Sequence, residues 1–182
     1  AANTSGALAN LTYDTTRGGK ESTIVSGAMT ITTGSTSDIN ITMKSAGANI
    51  NPGAIGSTTV ALPGTVTLDN TFGGSPSATG FITINSVIYS AKAISVKGIS
   101  NGAQGVVSSA IVRANTGNIN FYGIGVAHRG VEQSANIIAL AGNVVMTGIT
   151  NSNYGIYNSN ASLIQANNIT LTGTATAAAG GW

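Results

Sequence analysis

The side chains able to do chemistry here are few. The chain carries five carboxylates, Asp14, Glu21, Asp38, Asp69 and Glu132, one histidine, His128, and no cysteine. Glycoside hydrolysis asks for two carboxyl groups about 5 to 9.5 Å apart, and a calcium-dependent lyase asks for several oxygen ligands converging on one ion. Only Asp14 and Glu21 lie near each other in sequence. Without cysteine there is neither a disulfide nor a thiolate metal site. No nucleophile motif, P-loop or metal-ligand spacing occurs, so no catalytic residue, cofactor or metal is expected.

The richest polar and aromatic group is His128, Arg129 and Glu132, with Tyr154 and Tyr157 about one repeat later. These five residues read as a surface contact, for example with carbohydrate, or as decoration on a turn. Arg129 and Tyr154 are 25 residues apart, which predicts a guanidinium resting on the Tyr154 ring, worth about 0.5 to 1 kcal/mol at an exposed site. In the same frame Glu132 lies over Val107 and under Tyr157, with nothing converging on it.

What must position these residues is a repeat. Ala93-Ile-Ser-Val-Lys-Gly98, Asn118-Ile-Asn-Phe-Tyr-Gly123, Asn143-Val-Val-Met-Thr-Gly148 and Asn168-Ile-Thr-Leu-Thr-Gly173 return every 25 residues. Asn40-Ile-Thr-Met43 and Thr65-Val-Thr-Leu68 extend the series backwards. A fixed period of this size marks a solenoid. Each phrase has apolar residues at alternate positions, the period of a strand with one buried face. The columns 94/119/144/169 and 96/121/146/171 should point inward and touch turn to turn. A second column runs through Gly80-Phe81, Gly105-Val106, Gly130-Val131 and Gly155-Ile156, each glycine marking a bend. A third runs through Val87, Val112, Ile137 and Ser162, with Tyr89, Ala114, Ala139 and Ile164 two residues on. The column between these, with Ile88, Arg113, Ile138 and Leu163, is assigned outward.

Three short strands per 25 residues describe an all-β fold, a right-handed parallel β-helix or β-solenoid of roughly seven coils, with handedness following the rule for parallel crossovers. Stacking places Asn118, Asn143 and Asn168 in a structural asparagine ladder, and Ser109, Ser134 and Ser159 in a second polar column. Residues 1–38, where Asp14, Arg17, Lys20 and Glu21 gather, form an irregular leading coil or edge region. Residues 39–182 form one continuous solenoid domain. From Val66 to Ile94 the step is 28, which places a three-residue insertion around Gly73-Gly74-Ser75-Pro76.

Composition agrees with this architecture. Only 7% of residues are charged, against about 25% in ordinary soluble domains, and Thr, Asn, Ser and Gly supply the polar surface. The net charge of +2 is scattered, so no basic patch follows a phosphate backbone and nucleic acid is not an expected partner. No apolar run reaches the roughly 18 residues of a membrane helix. Asn-x-Ser/Thr triplets begin at Asn3, Asn10, Asn40, Asn160 and Asn168, as chance alone produces in so Asn- and Thr-rich a chain. Gly180 and Trp182 keep the repeat register. The expected partners at that end are therefore further coils of the same polypeptide, or a second subunit joined head to tail.

Ala141-Gly-Asn-Val-Val-Met-Thr-Gly148 and Ala166-Asn-Asn-Ile-Thr-Leu-Thr-Gly173 resemble the repeats of filamentous haemagglutinin-type large exoproteins, the passengers of two-partner secretion, and related autotransporter adhesins. The resemblance covers roughly residues 27 to 182. The family's Asn-Pro-Asn-Gly-type secretion signature is missing, with only Asn51-Pro-Gly53 as a fragment, so the chain resembles an interior rod segment of a longer protein. The resemblance implies a non-enzymatic structural rod of an extracellular or cell-surface bacterial adhesin or filament, which touches a host or neighbouring-cell surface. The alternative is a carbohydrate-active β-helix enzyme, a polysaccharide lyase or hydrolase, disfavoured by the scarcity of carboxylates.

Overall fold

The alternating phrases pair as parallel strands stacked one turn above the next. The computed structural model describes residues 10–16, 23–29, 38–71, 79–159 and 162–176, and among these there is no helix. The first sheet joins, in order, β1 (Leu11–Asp14), β3 (Ile41–Lys44), β5 (Val66–Asp69), β8 (Ile94–Ser100), β11 (Ile119–Gly125), β14 (Val144–Thr150) and β17 (Ile169–Ala175). The second joins β2 (Ile24–Val25), β4 (Ile50–Asn51), β6 (Ile82–Ile84), β9 (Val106–Ser108), β12 (Val131–Gln133) and β15 (Ile156–Asn158). The third joins β7 (Ile88–Ser90), β10 (Val112–Ala114), β13 (Ile137–Ala139) and β16 (Ile164–Gln165).

The described residues form a β-solenoid with about 25 residues per turn and about five turns, fewer than the roughly seven coils expected from length. Among the described residues the first face has seven strands and the third four. In the earliest complete turn single bridges, Ile55 to Ile88 and Leu62 to Ser90, replace a third-face strand.

The inward columns of the first sheet follow the 25-residue frame. Ile94 pairs with Ile119, Ile119 with Val144 and Val144 with Ile169, while Val96, Phe121, Met146 and Leu171 follow two residues on. From β3 to β14 these columns are buried, and they join the inward residues of the other sheets in one apolar core. On β17 the same positions, Ile169 and Leu171, are 47% and 51% exposed, because among the described residues that strand pairs only with β14.

The other two sheets depart from strict periodicity. Ile82, not Phe81, pairs with Val106, and Ile88, not Val87, pairs with Val112. Ile88 is consequently buried in the core rather than outward, and Tyr89 takes the outward place beside Arg113. In the last turn Ile137 pairs with Ile164 in place of Ser162. At β6 and β7 the slip is one residue, which turns every side chain to the opposite face, so burial of the apolar residue selects the register and the bends absorb the difference in length; the two-residue shift to Ile164 keeps the face. The segment 72–78, which contains the expected insertion, lies outside the described residues. Its flanking strands show four extra residues between Val66 and Ile82, relative to Ile94 and Val106, and one fewer between Ile88 and Ile94, relative to Val112 and Ile119.

Two columns of glycine form the corner between the first and second sheets. A Cβ on Gly98, Gly123 or Gly148 would stand 2.1, 2.0 or 1.8 Å from the carbonyl oxygen of Gly105, Gly130 or Gly155 respectively. No side chain fits that approach, which accounts for glycine at both positions in each turn. At the corresponding corner of an earlier turn the short strand β5 stops at Asp69. There the buried Asn70 side chain takes over the ladder: Ile99 N donates to Asn70 Oδ1 at 2.8 Å, and Asn70 Nδ2 donates to Ile99 O at 3.3 Å and Ala48 O at 3.4 Å.

Candidate functional site

The paired glycines push the intervening loop outward, and that loop carries His128 and Arg129. Gln104, Arg129 and Tyr154 occupy equivalent loop positions in three successive turns. Beside them, on the outward side of the second sheet, Val107, Glu132 and Tyr157 pair in register. Two outward columns are thereby brought side by side across three turns.

Arg129 Nη1 lies 2.7 Å from Glu132 Oε1, an i,i+3 ion pair whose side chains are 24% and 19% exposed. Gln104 Nε2 donates to Glu132 Oε2 at 3.0 Å. The Arg129 guanidinium carbon stands 3.8 Å from the centroid of the Tyr157 ring. The Tyr154 and Tyr157 ring centroids are 5.6 Å apart with the planes tilted by 31°.

This geometry corrects two expectations. Arg129 covers Tyr157 rather than Tyr154, because the long side chain passes over the neighbouring column instead of rising along its own. Glu132 does have groups converging on it, since Arg129 and Gln104 engage both of its oxygens. His128 is exposed, and its backbone carbonyl accepts a hydrogen bond from the Thr150 hydroxyl. The cluster joins three turns laterally through an amide, a carboxylate, a guanidinium and two phenol rings.

The other described carboxylates serve the scaffold locally. Asp14 Oδ1 accepts from Thr16 N at 2.9 Å and Thr16 Oγ1 at 2.6 Å, and Asp69 Oδ1 accepts from Thr71 N at 2.8 Å and Thr71 Oγ1 at 2.6 Å. These are the same Asp-x-Thr turn, each at the end of a first-sheet strand. Asp38 forms an ion pair with Lys92 in which both side chains are about half exposed. Glu21 lies outside the described residues. Among the described residues no three His, Cys, Asp or Glu side chains gather as a metal site would require.

In the asparagine column, Asn168 Nδ2 donates to Asn143 Oδ1 at 3.0 Å, and Asn143 N donates to Asn118 Oδ1 at 2.9 Å. The column resumes in the early turns, where Asn40 Nδ2 donates to Asn10 Oδ1 at 2.9 Å and Thr65 Oγ1 donates to Asn40 Oδ1 at 2.7 Å. Ser134 and Ser159 each donate their backbone N–H across one turn, to Ser108 O and Gln133 O.

A second polar group was hidden from sequence by the register slip on the third sheet. The Arg113 guanidinium carbon lies 4.7 Å from the Tyr89 ring centroid, and Tyr89 Oη donates to Asn115 Oδ1 at 2.8 Å. The two side chains line a shallow cleft of ≈ 90 Å³ with Ser57, Thr58, Val87, Ile111 and Ile138. A strict 25-residue frame points Tyr89 inward; the signal that could have placed it correctly was Ile88, the better core residue of the pair.

Comparison with protein-family models, curated proteins and solved structures finds no match to this chain.

Proposed function

We propose that the chain is a structural, non-enzymatic rod segment of an extracellular bacterial adhesin or surface filament, wound right-handed as parallel crossovers are. The observation that carries this reading is the use of the acidic side chains. Each described carboxylate is committed to a turn, an ion pair or a link between turns, and they are distributed along the solenoid rather than gathered in a cleft. The low charge of the chain and its stacked apolar columns suit an elongated element whose job is length and rigidity.

The experiment has two arms. Antibodies raised against the chain should label intact source cells or their culture medium, and the purified chain should leave pectin, alginate and related polysaccharides uncleaved. Labelling confined to the interior of broken cells would defeat the surface assignment. Polysaccharide turnover that is lost in Glu132→Gln would instead favour a carbohydrate-active β-helix enzyme.

A further inference from the structure

The outward side of the first sheet carries two straight columns. One is Thr12, Thr42, Thr67 and Ser95, side by side on β1, β3, β5 and β8. The other is Asp14, Lys44, Asp69 and Lys97 on the same strands. The charges alternate without exception. Four of the nine described Asp, Glu, Lys and Arg residues stand in this one column, in a chain with only 7% charged residues. Asp14 and Lys97 are exposed, and Lys44 and Asp69 are half-buried.

We propose that this face docks against the same face of a second copy of the chain, with the two rods antiparallel. The order Asp-Lys-Asp-Lys is self-complementary under a two-fold axis that lies in the interface, along the strand direction, between Lys44 and Asp69. That rotation keeps each column facing itself and reverses its order. Asp14 then meets Lys97 of the second copy, Lys44 meets Asp69, and the small hydroxyl column meets itself. A parallel pair of rods places the charges against the hydroxyl column and gains none of these pairs. Opposite-charge neighbours within the column also support the single chain, as cross-strand pairs do. Alternation serves both purposes, whereas a column of one sign would serve neither. The contact is isologous and closed, so it pairs rods side by side and does not extend them into a fibre. It is independent of where the rod is displayed, and its failure would leave the proposed function standing.

The test uses the 182-residue chain. Sedimentation at high protein concentration should show a dimer whose dissociation constant rises at least tenfold between 50 and 500 mM salt, since exposed charges are screened. Within one chain Asp14 and Lys97 are three strand steps apart, about 14 Å, beyond the reach of a zero-length cross-link. Carbodiimide treatment of mixed isotope-labelled and unlabelled chains should therefore give an Asp14–Lys97 linkage that always joins two chains. Lys44→Glu/Lys97→Glu and Asp14→Lys/Asp69→Lys should each be monomeric alone and should associate when mixed. A monomer at both salt concentrations, a dimer without the Asp14–Lys97 linkage, or a dimer indifferent to both charge reversals overturns the proposal. If a variant does not fold, the cross-link in the unmodified chain decides.

Discussion

The Arg129 guanidinium stands 3.8 Å from the centre of the Tyr157 ring in the next turn while its Nη1 holds Glu132 in its own turn at 2.7 Å. One side chain thus adds a lateral tie between two turns whose backbones already pair Glu132 with Tyr157. Cation–π contacts contribute about 0.5 to 2 kcal/mol depending on desolvation. Tyr157→Leu should lower stability by about 1 kcal/mol, and a double-mutant cycle with Arg129→Met in urea unfolding should return a favourable coupling. Strict additivity of the two substitutions would show that the stacking contributes nothing.

Glycine substitutions should separate by location. Gly123→Ala places a Cβ 2.0 Å from the Gly130 carbonyl, whereas at Gly173 the nearest atom is 3.4 Å away. Overpacking costs about 1 to 3 kcal/mol and at times more. Gly123→Ala should therefore fall in or above that range, while Gly173→Ala should be nearly neutral. Equal melting temperatures for the two variants would contradict the corner geometry.

Asn70 and Asn168 offer a comparison of chemically identical groups. Asn70 is fully buried and carries the ladder to Ile99, while Asn168 is exposed and bonds Asn143. Leaving a buried backbone donor without a partner costs about 1 to 3 kcal/mol, against about 0.5 to 1.5 for a typical hydrogen bond. Asn70→Ala should be clearly destabilising and Asn168→Ala close to neutral. Hydrogen exchange should show protection lost at Ile99 N–H in the first variant only.

The same contrast holds in the core columns. Met146 is fully buried, and Leu171, its partner in the next turn, is 51% exposed. Met146→Ala should cost about 2 to 5 kcal/mol. Leu171→Ala should cost only about 1 kcal/mol, because about half of its surface stays in water. Thermal unfolding followed by circular dichroism measures both.

Much of this architecture was legible before any coordinates. Ile119 beside Val144, and Glu132 between Val107 and Tyr157, follow from the 25-residue period alone. The Lys44, Asp69, Lys97 column, the fifth residue from the start of each phrase, follows from aligning the phrases across the one longer step; Asp14 escapes that alignment because 30 residues separate it from Lys44. Tyr89 beside Arg113 was not legible, because the bends before β6 and after β7 differ in length from those of later turns. Periodicity carries no information about a slip that one bend introduces and another removes.

The sequence by itself determined the parallel strands, the first sheet's register and the dispersal of its few carboxylates. All three depend on residue spacing and type, which the period exposes directly. The tertiary structure decided which residue of β6 and β7 faces the core, since burial of Ile82 and Ile88 outweighs strict spacing. It also decided that Arg129 reaches Tyr157 and Glu132 together, because a long side chain at a corner selects its neighbours by distance in space. Five turns rather than seven was likewise a tertiary outcome. In the early described turns the third face is closed by single bridges, Met29 to Ile55 and Ile55 to Ile88, whose residues join the shared core without forming the paired strands of later turns.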